Sequence, residues 1–384
     1  MQATLMTLFL SIYLCANLYI GLRLWQWIFA PFTHVPALAF WIVFLSVVAS
    51  FYLSQWLWNR MPPVLHRALN AVGGYWLCGC LYVLVGLVLV DLLHAANRRF
   101  QFVAAGPHAL MGAALCVLGV VAVLLIYGTY CALVPRIRRY DIRVDKPDLH
   151  RTPLRIVMAS DLHFGRIIRE ERARTFARLV NEQQPDVVCI AGDIFDAGLS
   201  RVERPEQICA LLRRIQSRYG VYACLGNHDV RTENGLSETI AALESANIHV
   251  LLDECVTLDQ RLCLIGRIDP WLAKAQKHPR IPLATLTAGL DPSLPRIVLD
   301  HQPGALDEAA QCGVDVQFSG HTHRGQIFPL NFITSTHFDI DYGFLQKGAL
   351  SAVVSSGYGT WGPVVRIGSR SEIVVVTLSC TRPV

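Results

Sequence analysis

Charged side chains are scarce in this 384-residue sequence: Asp, Glu, Lys and Arg make up 16% of it, where a globular chain carries about 25%. The deficit is uneven. Residues 1–149 hold 10 Lys/Arg and 4 Asp/Glu, whereas residues 150–384 hold 24 and 25. The formal charge of +5 therefore belongs to the first part. The second part is near neutral and has no basic stripe, so the electrostatic footprint of nucleic-acid binding is missing and no nucleic-acid partner is expected. The 12 cysteines include no CxxC pair and no zinc-ribbon spacing, and an odd number of them, seven, follow residue 149. That pattern argues against a disulfide scaffold and for a reducing compartment. There is no internal repeat and no low-complexity segment.

What the first third has in excess is apolar length. Four stretches, residues 5–20 extending to Phe29, 37–57, 72–93 and 109–134, approach or exceed the ~20 residues that cross ~30 Å of hydrocarbon. The polar segments PFTHVP, NRMPPVLHR and HAANRRFQ read as breaks between them, and Trp25, Trp27, Trp41, Trp56, Trp58 and Trp76 stand near their ends, as interfacial aromatics do. The first stretch lacks a basic n-region and a small-residue cleavage site, so it reads as a span and not as a signal peptide. Four spans place Arg60, Arg67, Arg136, Arg138, Arg139, Arg143 and Lys146 on the side of the C-terminal domain, and Arg23, Arg98 and Arg99 on the other. This asymmetry predicts a multi-pass protein of the cell (inner) membrane with its C-terminal domain in the cytoplasm. Asp91 falls two residues before the end of the third stretch, near enough to the interface for solvation.

After Pro135 the pattern changes, which predicts a transmembrane domain over residues 1–134 and a second domain over 135–384. Short apolar runs read as strands at 155–160, 186–192, 220–226, 262–266, 296–301, 314–320, 352–357 and 372–378. Ile208, Leu211, Leu212 and Ile215 follow helical spacing, as do Phe176, Leu179 and Val180 in part. Alternation of the two predicts an α/β fold.

The chemistry gathers where those strands end. IVMAS runs into Asp161-Leu-His163, VVCIAG into Asp193-Ile-Phe-Asp196, and VYACLG into Asn227-His228-Asp229. Then RIVLD runs into His301, and VDVQFSG into His321-Thr-His323. Ligands of α/β folds collect outside the carboxyl ends of strands. The resulting set of oxygen and imidazole donors, with no thiolate, suits Mn, Fe, Zn or Ni. Asp161, His163, Asp193, Asn227, His301, His321 and His323 are too many for one ion. If Asp193 bridges, two divalent ions receive four ligands each and keep positions for water and substrate.

In this order the five blocks resemble the calcineurin-like metallophosphoesterases, whose pattern is DxH, GDxxD, GNH(D/E), a lone His and GHxH. The resemblance covers about residues 140–384 and leaves out the apolar stretches. It implies a four-layer α/β/β/α sandwich, here preceded by a four-helix transmembrane domain. It assigns one metal to Asp161, His163, Asp193 and His323 and the second to Asp193, Asn227, His301 and His321. His228 matches the family's catalytic histidine and Asp196 the carboxylate that orients it. GHTHRGQIFP and SSGYGTWGPVVRIGSRSEI look like the bacterial membrane-associated branch, some of whose members cleave lipid phosphoester or pyrophosphate bonds. The expectation is hydrolysis by a metal-bridging hydroxide on a lipid-linked or membrane-proximal phosphorylated substrate. A nucleotide or nucleic-acid phosphodiesterase, and a non-catalytic receptor or scaffold with a vestigial site, are the alternatives. Asp300 stands where a smaller residue is usual. Arg324 is a candidate phosphate grip, His337 a candidate substrate contact, and Asp229 either supports the His228 loop or caps a turn.

Overall fold

The computed structural model describes residues 2–102, 107–146, 152–230 and 235–380. The chain forms two compact units, Met1–Tyr130 with Gly362–Val365, and Cys131–Trp361 with Arg366–Val384.

The first unit is helical. Helix α1 (Gln2–Leu24) continues through a π-helical turn (Trp25–Phe29) into the short α2 (Ala30–Phe32), followed by α3 (Ala37–Trp56), α4 (Pro63–Phe100) and α5 (Pro107–Leu133). Among the described residues, four segments, Thr7–Phe32, Ala37–Trp56, Pro63–Phe100 and His108–Leu133, are long and apolar enough to cross a membrane. Helix α4 departs from expectation by extending into both breaks around it. Pro63 occupies its first turn, where the missing N–H and fixed φ of proline are harmless. HAANRRF, expected as a break, is helical to Phe100, with Arg98 and Arg99 in the last turn and Gln101 in the left-handed region closing it. Cations there complement the negative end of the helix dipole.

Helices α3 and α4 approach closely. A Cβ on Gly73 would lie 2.1 Å from the Phe51 backbone nitrogen, the small-residue contact by which helices associate where apolar burial provides no drive. Asp91 is held by α1: Tyr19 Oη donates to its Oδ2 at 2.5 Å and Arg23 Nε at 2.7 Å. An ion pair, more than solvation, therefore answers its charge.

The second unit begins with β1 (Arg136–Val144), β2 (Leu154–Ala159), α6 (Glu170–Asn181), β3 (Val187–Ala191), α7 (Pro205–Leu212), β4 (Val221–Cys224), α8 (Gly235–Ser245) and β5 (Ile248–Val250). It continues with β6 (Glu254–Leu258), β7 (Leu262–Gly266), α9 (Pro270–Ala275), α10 (Leu283–Thr287), β8 (Arg296–Leu299), α11 (Leu306–Gln311) and β9 (Val316–Ser319). Helix α12 (Asn331–His337), β10 (Gly343–Lys347), β11 (Leu350–Val354) and β12 (Glu372–Cys380) complete it.

The strands make two six-stranded sheets, ordered β1-β12-β2-β3-β4-β5 and β10-β11-β9-β8-β7-β6. Strands β2 to β5 are parallel, as are β7, β8, β9 and β11. The antiparallel pairings lie towards the edges: β12 with β2, β6 with β7, and β10 with β11. Side-chain alternation builds the layers. Ile156, Met158, Cys189, Leu264, Leu299 and Phe318 from both sheets share one core. Ile265, Val298 and Val354, one residue out of phase, pack instead with Leu283, Leu306 and Ala309. Each core strand is thus buried on both faces, as parallel sheets require, and the result is the expected α/β/β/α arrangement. All eight expected strands are present, together with β1, β5, β6 and β10. Helix α7 ends at Leu212, so Ile215 lies just past it.

Candidate metal centre

Residues from both sheets converge beyond the ends of β2, β3, β4, β8 and β9. The loops after β2 and β3 are zipped together, since the backbone N–H groups of Asp161 and His163 donate to the carbonyls of Gly192 and Asp193 at 2.9 and 3.0 Å. The Gly320 N–H donates to the His301 carbonyl at 2.9 Å, which joins the loops after β9 and β8. Asp161, His163, Asp193, His321 and His323 all have positive φ, between 49° and 70°. Each such non-glycine residue costs on the order of 1–3 kcal/mol and persists only where the surroundings impose it.

Asp161, His163 and His323 form one group able to hold a cation, and Asp193, His301 and His321 a second. In the first group, His163 Nε2 lies 3.0 Å from His323 Nε2, which is itself 3.4 Å from Asp161 Oδ1. In the second, His301 Nε2 lies 3.2 Å from Asp193 Oδ2, and the His301 and His321 rings meet edge to face at 5.1 Å. Asp193 reaches the first group too, with Oδ2 3.9 Å from His163 Nε2. Asn227 Oδ1 is buried and has no hydrogen-bond partner. Its neighbours on either side, Gly226 and the His228 N–H, lie against Asp193, and a buried, unpaired amide oxygen is a donor that a cation can satisfy. The donor set therefore fits divalent metal.

Burial pushes the His163 imidazole down to about 3 and the His321 imidazole to about 4. Both are neutral, as ligands must be. Burial also raises the Asp161 carboxyl to about 6, partly opposed by His301. At His301 burial disfavours the charge, but the adjacent Asp193 carboxylate outweighs it and holds the ring well above its ordinary value. Without metal, His301 therefore keeps a proton near neutrality, and a cation must displace it. Titrating the metal-free protein with Mn²⁺ at pH 7 in buffers of different ionisation enthalpy should register about one proton released. Affinity should then fall roughly tenfold between pH 7 and pH 6. Heat independent of the buffer would refute this.

Asp196 lies 3.8 Å from Nδ1 of both His163 and His228, so it stands between the two rings instead of serving His228 alone. The His228 N–H donates to Asp193 Oδ1 at 2.8 Å. Asp229 resolves in favour of loop support: its carboxylate accepts from the Phe195 and Gly226 N–H groups, both at 2.8 Å. Burial and the Asp193 charge nonetheless push that carboxyl up to about 7. Asp300 is buried and pairs with Arg280 at 2.6 Å. Arg324 stacks on the Tyr342 ring, 4.7 Å from its centroid, and His337 is exposed at the end of α12.

A cleft of about 380 Å³ opens at the cluster, lined by Asp193, His228, His321 and His323 and also by Leu330, Ile333 and Trp361. The last three are 45%, 62% and 59% exposed. Neither this apolar lining nor Arg366, buried behind His323, was singled out by motif spacing. The clue to Arg366 was the glycines before it, because residues 357–359 pass against the loop that carries Asp161 and His163. The Tyr358 and Gly359 N–H groups donate to the Ser160 and Asp161 carbonyls at 2.9 and 2.7 Å.

Comparison with known proteins bears on this arrangement. Residues 154–325 match the family model described as calcineurin-like phosphoesterase. A bovine (Bos taurus) transmembrane protein with metallophosphoesterase domain is 34% identical over 249 residues, 60% of this chain and 55% of that protein. A metallophosphoesterase of Campylobacter jejuni is 31% identical over 264 residues, covering 67% of this chain and 68% of its own length. The phosphodiesterase YaeI of Escherichia coli is 30% identical over 189 residues, 46% of this chain and 62% of that protein. The chain spans little more than half of the bovine relative.

Proposed function

Because the chain belongs to the calcineurin-like metallophosphoesterase family, we propose that its residues 135–384 hydrolyse a phosphoester or pyrophosphate bond with the help of two divalent cations. The observation that carries this reading is the convergence of two groups of candidate ligands, with Asp193 of the second lying 3.9 Å from His163 of the first. Asp161, His163, Asp193 and His323 would hold one ion, and Asp193, Asn227, His301 and His321 the other. When bound, such a pair supplies Lewis acidity and a nucleophilic water at neutral pH.

The chain's own groups do the rest. His228 lines the cleft and gives a proton to the leaving oxygen. Asp196, 3.8 Å from its Nδ1, fixes the ring's orientation. Asp193 anchors that loop by accepting the His228 N–H.

The substrate is read as lipid-linked or membrane-proximal. Four helices able to cross a membrane precede the domain, and exposed Leu330, Ile333 and Trp361 give the cleft an apolar margin that a small polar phosphate would not need. The Lys/Arg asymmetry supports an inner-membrane protein with its catalytic domain in the cytoplasm.

Two assays test this. Purified protein should cleave an aryl phosphate ester with added Mn²⁺ and stop when the metal is chelated; no turnover with any divalent metal would refute the enzyme. The Ile333→Asp chain should lower the ratio of lipid-diphosphate to aryl-phosphate kcat/KM by roughly tenfold, the effect of losing ~1.5 kcal/mol of apolar burial. An unchanged ratio would remove the lipid from the proposal.

A further inference from the structure

Both neighbours of His301 hold the same outlying segment. Asp300 Oδ2 accepts from Arg280 Nη2 at 2.6 Å, and Gln302 Nε2 donates to Asp269 Oδ2 at 2.8 Å. Residues 269–280 therefore form an arch whose two feet are bonded on either side of a candidate ligand. The topology puts it there. Strand β7 runs parallel to β8 with Gly266 opposite Leu299, so the chain leaves both strands at the edge that carries the ligands. Asp300, set apart in the sequence by its size, is the post for one foot.

The arch is firmly built. Asp269 caps α9 by accepting from the Trp271 and Leu272 N–H groups at 2.8 and 3.2 Å, and Leu272 and Ala273 are buried. Asp253 clamps the returning end, accepting from Arg267 Nε at 3.0 Å and from the Ile281 N–H at 2.7 Å. The carboxylates at the base are thus answered by Arg267, by Arg280 and by the start of α9. The cations on top are not. Lys274, Lys277 and His278 are exposed, and residues 270–290 contain no Asp or Glu. Among the described residues neither lysine has an ion-pair partner.

Lys277 also holds its place against a conformational preference. Its φ is 53°, and it closes α9: its N–H donates to the Lys274 carbonyl at 3.3 Å and the His278 N–H to the Ala273 carbonyl at 2.9 Å. Such a helix end usually turns on glycine, which has no Cβ to strain it. A lysine there keeps a charge where the backbone would favour none.

We propose that the arch is an anion subsite, in which Lys274 and Lys277 hold a second, uncleaved phosphate of the substrate while the reacting one lies in the cleft. The inference rests on the hydrolase reading above and narrows its substrate to a bis-phosphorylated one. A lysine ammonium is a point charge on a flexible stem and grips phosphate without a fixed geometry, which suits an exposed arch. Salt must weaken such a contact.

The test compares two substrates on the full chain in neutral detergent with Mn²⁺: an aryl phosphate, and the same compound bearing a second phosphate ester. The kcat/KM ratio should favour the bis-phosphate and should fall at least about threefold between about 0.05 and 0.5 M NaCl. The Lys274→Gln/Lys277→Gln chain should lower that ratio roughly tenfold, as two exposed charge contacts together allow, and should lose its salt dependence. Lys274→Arg/Lys277→Arg should keep both. A ratio unchanged in the glutamine variant would overturn the subsite while the hydrolase reading stands. So would lysines that matter only for aryl-phosphate turnover in micelles containing phosphatidylglycerol, an outcome that would give the arch to lipid headgroups. No turnover of either substrate with any divalent metal would overturn both.

Discussion

An Asp193→Asn chain should hydrolyse an aryl phosphate in Mn²⁺ at least about a thousandfold more slowly than the native chain, and should hold no more than one ion after desalting. Asp193 reaches both groups of candidate ligands. Its Oδ1 accepts the His228 N–H at 2.8 Å, while its Oδ2 lies 3.2 Å from His301 and 3.9 Å from His163. The neighbouring His301 holds its carboxyl below the ordinary range although burial opposes this. A formal negative charge is therefore kept between the two groups of candidate ligands. An amide matches the carboxylate in shape but removes that charge. At an effective dielectric of about 20, one unit-charge contact at 4 Å is worth ~4 kcal/mol, and a thousandfold is ~4 kcal/mol of activation energy. Elemental analysis and kcat/KM would be measured together, with circular dichroism to verify the fold. A variant that kept two ions and a tenth of the native rate would remove Asp193 from the shared role.

Gly226→Ala is the second large effect, and it touches no ligand atom chemically. A Cβ there would lie 2.2 Å from Asp193 Oδ1, 2.7 Å from the Asp193 nitrogen and 2.8 Å from His301 Cδ2. None of these is the loose end of a flexible side chain, so either the shared carboxylate or the His301 ring must move. A displacement near 1 Å at a reacting centre costs on the order of a hundredfold. That loss in kcat/KM is expected, with Mn²⁺ affinity lowered at least about tenfold. Gly289→Ala is the control, because a Cβ there meets nothing within 4 Å. If Gly226→Ala matched the control in both readouts, the close packing of the centre would be refuted.

The parts of the structure legible in the sequence were those under two constraints at once. A parallel strand buried on both faces must be an unbroken apolar run, and Val187–Ala191 announces itself in that way. The ligand-bearing blocks stand out because polar residues end such runs abruptly, as at Asp161, Asp193 and His321. Edge strands carry neither signal. Strand β1 reads RIRRYDIRV, and its arginines, read as charge flanking a membrane span, also occupy the exposed positions of a strand. Strands β5 and β6 are short and half exposed, so neither their length nor their apolarity exceeds that of a loop. Residue pairs distant in sequence were equally silent. Nothing in one dimension links Asp91 to Arg23, or Arg366 to His323, and Arg324 showed no preference for the Tyr342 ring until both were in space.

Strand β12 separates β1 from β2 in the first sheet, pairing with β1 from Glu372 to Cys380. The strand that directly follows the last apolar helix therefore has no partner while the chain is being synthesised. It waits for more than 200 residues, until the last strand emerges from the ribosome and fills the gap. During that interval a basic, open-edged β-segment is exposed, and a stop codon anywhere before residue 372 would leave it so permanently.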